Sequence, residues 1–316
     1  MNDRRRRKAV TPVKMLVFGS LNIDHTYRVP HLVREGETLD SQAYQRNTGG
    51  KGLNQAIALA KAGQECWFAG AIGEDGGFLK ACLDDYGIHT EFIRPVKEPT
   101  GHAIIQVDDR GKNSIVLFGG ANRAVTPAMI EEVLSSFDPG DYLLMQNEIS
   151  CGDVLLHAAA EKGMHVALNP SPLTENLLRW PLEEADWLIL NEVEGAGITG
   201  KQLPDEILDA LTSRYPACHA VLTLGEKGSV YAEGNLRVRQ ESYPVRTVDT
   251  TAAGDTFTGF LLHAILQGKT ISQALKTASR AAALAVSRPG ASASIPWQKE
   301  VRAAFAQAGE ENGKEP

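Results

Sequence analysis

The chain opens on a short apolar run at 14–18 (KMLVF), which predicts a buried first strand. It passes directly into Gly19-Ser20 and the polar segment Leu21-Asn22-Ile23-Asp24. Residues 25–47 mix alternating apolar positions with charge, the pattern of an excursion or small sheet outside the main core. Gly49-Gly50-Lys51-Gly52 then opens a helix whose apolar positions Ile57, Leu59 and Ala60 stop at Gly63. Next come a strand at 66–73, a helix at 78–87, and a hairpin with arms at 102–107 and 114–118 around the turn DDRGKN. Further strands are predicted at 142–146, 165–169, 186–190 and 219–225, separated by helices at 127–137, 151–163 and 204–214. A second hairpin (SVYAEG, LRVRQ) leads into helices at 252–267, 271–286 and 296–306. Near-continuous apolar strands joined by helices predict a parallel sheet covered on both faces, the α/β class. No repeat or low-complexity linker divides the chain. One α/β domain is therefore expected over 14–308, with an accessory β element from about 25–47 and 102–118. A basic extension at 1–13 and a tail at 309–316 are expected to be disordered.

Composition narrows the class. Hydrophobic residues at 43% and charged residues at 22% are ordinary for a globular protein. A formal net charge of −7 argues against a nucleic-acid partner, which needs a basic face. No apolar run approaches the length of a membrane span, so no membrane role is expected. Cys66, Cys82, Cys151 and Cys218 are far apart and form no zinc or disulfide pattern, which predicts free thiols in a reducing, cytoplasmic setting. The run Arg4 to Arg7 with Lys8 is not followed by an apolar stretch, so no secretory signal is expected. A solvated extension upstream of a start at Met15 accounts for it.

Ligands of open α/β sheets bind beyond the carboxyl ends of the strands. The polar segments there are NID, GGKG, QNE, NPSP, NEVE, TLGEKG and DTTAAGD. The last, Asp249 to Asp255, enters a helix through small residues. Unobstructed backbone N–H groups and the helix dipole make such a start an anion site, suited to a phosphoryl group in transfer. A carboxylate at Asp255 in the first turn can accept the proton of an attacking hydroxyl. The structural alternative is an acidic first-turn residue that only stabilises the helix, with Asp249 as a cap.

D-T-x-x-A-G-D before a Gly-containing helix resembles the C-terminal motif of the ribokinase-like (PfkB) carbohydrate kinases. Gly49-Gly50-Lys51-Gly52-Leu53-Asn54-Gln55-Ala56 is similar to the family's second motif. Asn22-x-Asp24, Glu148, Asn191-x-x-Glu194 and Thr223-Leu-Gly-Glu-Lys-Gly228 follow in the family's order over about 14–305. The resemblance implies a three-layer α/β/α fold with a central, mostly parallel sheet and a small β lid. It implies ATP-dependent transfer of a phosphoryl group to a sugar hydroxyl, with Asp255 as base and the amides of Ala252, Ala253 and Gly254 as an anion hole.

By the same resemblance, Asn22, Asp24, Gly50, Lys51, Gly52, Asn54 and Glu148 bind the sugar together with Asp255. Asn191, Thr223, Leu224, Gly225, Glu226, Lys227, Gly228, Gly254 and Ser279 line the nucleotide site. Glu194 helps to hold Mg²⁺ through water, although Asn191 and Glu194 also have the form of a capping box. A K⁺ site is implied at Asp249, Thr251, Ala285, Arg288, Gly290 and Ser294, and a homodimer through the lid sheets.

Departures bear on substrate. Ala252 stands where glycine is commonest. Leu53 replaces a small residue beside the expected sugar site, and His102 is larger than expected where a lid strand approaches it. Both are expected to reshape the pocket. The GGKGxNQ run favours ribose over fructose, ketodeoxygluconate or a nucleoside as substrate. A sugar-binding regulator without catalysis is the alternative of another class, and a dehydrogenase a third. The segment GAGITGKQ (195–202) mimics both dinucleotide and Walker sequences but lacks their context, and Gly200 is expected to end a short helix.

Overall fold

β1 (Met15–Phe18) is buried along its whole length, Met15 and Val17 against one apolar cluster and Leu16 and Phe18 against the other. A strand apolar at every position is stable only when both its faces are covered. The structure, a computed structural model, describes residues 13–306; the expected tail and all of the expected extension except Val13 lie outside the described residues. After β1 the chain makes β2 (Asn22–Arg28) and β3 (Ala43–Gly49), then α1 (Lys51–Ala62), β4 (Trp67–Ile72), α2 (Gly77–Asp85) and β5 (His89–Pro95). A hairpin of β6 (Gly101–Val107) and β7 (Asn113–Phe118) precedes α3 (Pro127–Leu134), β8 (Tyr142–Gln146), α4 (Gly152–Glu161) and β9 (His165–Asn169). Then come β10 (Trp187–Asn191), α5 (Glu192–Thr199), α6 (Pro204–Arg214) and β11 (His219–Thr223). The hairpin β12 (Ser229–Glu233) and β13 (Leu236–Gln240) leads to α7 (Ala253–Leu266), α8 (Ile271–Val286) and α9 (Gln298–Ala306).

Nine strands form the main sheet in the order β13-β12-β11-β10-β9-β8-β1-β4-β5. It is parallel except where β12 runs against β11 and β13. One face packs on α3, α4, α5 and α6 and the other on α1, α2, α7 and α8, which gives the three-layer α/β/α fold. The chain leaves β1 toward β4 and β5 on one side and returns through β8 on the other. That reversal opens a crevice at the carboxyl ends of β1 and β8. A separate four-stranded sheet, β3-β2-β6-β7, stands outside the main core and contains both segments expected to form the accessory element.

β5 was not legible in the pattern. Its sequence HTEFIRP mixes exposed and buried positions and ends in proline, as suits an edge strand needing partners on one side only. Gly200 takes the left-handed conformation (φ 74°) and caps α5, as expected for the GAGITGKQ segment. Among the described residues no helix is long and apolar enough to cross a membrane. All four cysteines are free.

Candidate active site

Two glycines bring α1 against the end of β1. Gly50, the N-cap, has φ 96°, a conformation that disfavours any side chain. A Cβ at Gly52 would stand 2.5 Å from the Ser20 nitrogen, so only glycine lets the helix start so close to the strand. This close approach places Lys51, Asn54 and Gln55 at the crevice.

Asp255, in the first turn of α7, is 7% exposed. Its two carboxylate oxygens accept from Gln55 Nε2 (2.9 Å) and Asn54 Nδ2 (3.1 Å). Gln55 in turn donates to Asn169 Oδ1 (3.1 Å) and accepts from Gln146 Nε2 (2.7 Å). This buried network aims the carboxylate. It still borders open space: Asp255 lines a cleft of about 230 Å³ with Lys51, Asn191, Glu194, Thr223 and Gly254.

Ala252, Ala253 and Gly254 also line that cleft. Ala252 adopts φ 59°, which explains why glycine is common at its position; the left-handed conformation costs a residue with a Cβ about 1–2 kcal/mol. The turn presents the start of α7 to the cleft, and a Cβ built at Gly254 would meet nothing within 4 Å. One of the three expected amides is already engaged in this structure. The Ala253 N–H already donates to the Thr250 carbonyl (3.2 Å), so Ala252 and Gly254 are the stronger candidates for anion donors.

A second group lies at the β1–β8 end. Asn22, 6% exposed, accepts from Asn122 Nδ2 (2.8 Å), and Asn122 Oδ1 accepts the Leu21 N–H (3.0 Å). Glu148 accepts the Lys51 N–H (3.0 Å) and the Ser20 hydroxyl. Burial, and then the charge of Glu148, push the Asp24 carboxyl up to about 7. Because this lies above the ordinary 3.8, the folded state holds the proton more tightly than the unfolded chain. Asp24 therefore contributes stability in full below about 3.8 and loses it as pH rises through about 7. Burial alone would lower the Lys51 pKa, but the carboxylates of Asp255, Glu148 and Glu194 more than reverse this and keep the ammonium charged.

Neither expected departure reshapes the site. Leu53 is fully buried in the core around α1 and does not line the cleft. His102 pairs in register with Ile23, one position out of step with Asp24, and so faces away from it. It packs on Phe118 (centroids 5.0 Å apart) and His25 (5.8 Å). Ala103, small and 3% exposed, shares the Asp24 face instead.

Toward the other end of the cleft, Asn191 and Glu194 form a true capping box: Asn191 Oδ1 accepts the Glu194 N–H (2.9 Å) and Glu194 Oε2 the Asn191 N–H (2.9 Å). Both still line the cleft, with Thr223. Leu224 to Gly228 follow as a tight turn, closed by Leu224 N–H on the Gly228 carbonyl (2.8 Å) with Gly225, Glu226 and Lys227 exposed. Ser279 is buried in α8 and does not line the cleft. Among the described residues no cluster of three or more His, Cys, Asp or Glu could hold a metal. Besides Asp255, Glu194 is the carboxylate lining the cleft, and so sparse a set of ligands fits an ion that keeps most of its water and binds chiefly to phosphates, as Mg²⁺ does.

The two loops of the expected K⁺ site do meet. Asp249 Oδ2 accepts the Gly290 N–H (3.0 Å), and Asp249 Oδ1 accepts the N–H (2.9 Å) and hydroxyl (2.6 Å) of Thr251. Burial would raise the Asp249 pKa, but these hydrogen bonds outweigh it and hold the group ionised. Ala285 lies in the last turn of α8, its carbonyl accepting from Arg288 N–H (3.1 Å), and Ser294 is fully buried.

The network also draws in residues that were assigned no role of their own: Ser20, Asn122, Gln146 and Asn169, with Gln55 foremost. Gln55 stood inside the glycine motif, but only its contact with a residue 200 positions away shows its task.

Comparison with known proteins agrees with this geometry. The chain is 37% identical over 301 residues to a ribokinase of Haemophilus influenzae, covering 90% of this chain and 96% of that one. It is 33% identical to a ribokinase of Bacillus subtilis, covering 90% and 97%. The structure of Arabidopsis thaliana ribokinase complexed with ribose and ATP superposes with a TM-score of 0.80 at 32% identity, covering 92% of this chain and 99% of that one. Residues 13–298 match the model of the pfkB family carbohydrate kinases, and the chain belongs to that family.

Proposed function

We propose that this ATP-dependent carbohydrate kinase transfers the γ-phosphate of ATP to the primary hydroxyl of D-ribose, giving ribose 5-phosphate. The observation that carries the reading is the placement of Asp255, whose carboxylate is held by two amides of α1 in a cleft it shares with Gly254. Asn22, Asp24, Gly50, Lys51, Gly52, Asn54 and Glu148 bind the sugar, and Asp255 takes the proton of its primary hydroxyl. The Ala252 and Gly254 amides, helped by Ala253 as it leaves Thr250, stabilise charge on the phosphoryl group during in-line transfer. Asn191, the turn from Thr223 to Gly228 and Ser279 take the nucleotide. Glu194 would hold, through water, the Mg²⁺ that accompanies ATP, and the ion would supply neutralisation of phosphate charge. The β3-β2-β6-β7 sheet closes as a lid and excludes water as a competing acceptor.

Ribose is favoured by the glycine motif, and the two departures that spoke against it are removed, because Leu53 is sealed in the core and His102 faces away from Asp24. A coupled ADP-release assay over ribose, deoxyribose, fructose, ketodeoxygluconate and nucleosides tests this. Ribose is expected to have the highest kcat/KM, and a tenfold or greater preference for another acceptor would replace it. Sugar binding is expected to depend on pH through Asp24. Its ionised carboxylate is the stronger acceptor for a sugar hydroxyl, so KM for ribose rises as pH falls through about 7. Asp24→Asn should raise KM and flatten that profile; an unchanged profile in the variant would assign the titration to another group.

K⁺ is proposed to bind at Asp249 with Thr251, Ala285, Arg288, Gly290 and Ser294, where it would fix the loop leading to Ala252. Replacing tetramethylammonium with potassium is expected to raise the rate severalfold at saturating ribose and ATP; equal rates would remove this claim. A homodimer through the small sheets is also proposed. Tyr44, Ile104, Val116 and Phe118 are 42–63% exposed on the sheet face opposite Asp24, an apolar surface that a second copy would cover. Sedimentation at the 34.1 kDa monomer mass alone would contradict it. Four free thiols suit a cytoplasmic setting.

A further inference from the structure

Lys61, near the end of α1, is a buried ammonium that the transfer chemistry does not use. It is 5% exposed, and Nζ donates to the carbonyls of Ser292 (3.2 Å) and Ile295 (2.8 Å). The rings of Tyr86 and Trp297 lie 5.0 and 5.8 Å away, and among the described residues Lys61 makes no ion pair. A buried charge is costly unless its donors are satisfied, and a hydrophobic residue of similar length would fill the space at less cost. What the ammonium adds is a grip on two carbonyls of the loop 288–295.

That loop is tied to the phosphoryl site. Its Gly290 N–H donates to Asp249, and Asp249 holds both the N–H and the hydroxyl of Thr251, the residue before left-handed Ala252. The loop's Ser292 hydroxyl also meets Thr48 Oγ1 (2.8 Å) at the end of β3. The helix that carries Lys61 also carries Asn54 and Gln55, the two donors on Asp255.

We propose that Lys61 is a positioning residue for phosphoryl transfer. Its ammonium pins the 288–295 loop, the loop pins Asp249, and Asp249 sets the backbone from Thr251 into the start of α7. One rigid helix thereby fixes the base directly and the anion donors through this loop, so that both face one point. The inference rests on the kinase reading, and its test separates the two.

Lys61→Met keeps most of the stem and removes the charge. Its kcat per folded molecule is expected to fall about 10- to 100-fold, since small misplacements remote from the chemistry cost that much. KM for the sugar should stay within twofold, and Lys61→Arg should recover most of the rate. Hydrogen exchange should quicken at 249–252 and 288–295 in the Met variant and stay unchanged at 53–57. If Lys61→Met yields too little folded protein, Lys61→Gln is measured by the same two readouts with the same expectations. A variant that melts earlier but keeps its kcat and its exchange at 249–252 would show a merely structural lysine and overturn the proposal. Wild-type protein inactive on every sugar would refute the kinase reading, while the exchange comparison would still decide whether Lys61 controls the 249–252 backbone.

Discussion

Asp255→Asn is expected to lower kcat by about 10²–10⁴-fold while the KM for the sugar changes little. The carboxylate is the group placed to receive the hydroxyl proton, and its removal leaves the cleft and the remaining sugar contacts intact. Asparagine fits imperfectly, because Asn54 and Gln55 both present N–H groups to this side chain and the new amide can accept from only one side. A loss of stability is therefore expected too, and melting curves must accompany the kinetics. Asp255→Ala, which presents no misplaced amide, should show the same fall in kcat. Rates within fivefold of wild type in both variants would place the base elsewhere.

The next largest effect is expected at Gln55. It is fully buried and joins Asp255, Asn169 and Gln146. Gln55→Met, close in volume, removes one of the two donors on the Asp255 carboxylate and orphans the Gln146 amide. A buried group left without its partner costs about 1–3 kcal/mol, read as a lower urea midpoint. At neutral pH kcat should fall about tenfold, with the KM for the sugar little changed, because Asp255 is no longer held in line. An unchanged kcat, with the fold intact, would mean that Gln55 serves packing alone.

Much of this was legible along the chain, for physical reasons that differ by element. β1, β8, β9, β10 and β11 stand out because strands covered on both faces must be apolar throughout, and α6 and α8 because their bounds coincide with turn and cap residues. β5 escaped because an edge strand carries no such demand. The glycines around Lys51 and the small residues before Asp255 marked the two ends of the site, since close backbone approach leaves few alternatives to glycine.

Contacts between segments far apart in the chain were not legible. Nothing local to Gln55 points to Asp255, and nothing local to Lys61 points to Ser292. His102 shows the converse: its size suggested a crowded pocket, but a register of one residue turns it to the opposite face. The engaged amide of Ala253 likewise depends on how the Thr250 turn closes, which the residue types alone leave open.

The stereochemistry of the transferred phosphorus tests the account most directly. Ribose would be incubated with ATP made chiral at the γ-phosphorus by oxygen isotopes, and the phosphorylated product isolated and its configuration determined. Direct in-line attack by a hydroxyl that Asp255 deprotonates predicts a phosphate on the primary oxygen with inverted configuration. Retention, which requires a phosphorylated intermediate, or a phosphate on a ring hydroxyl would contradict it.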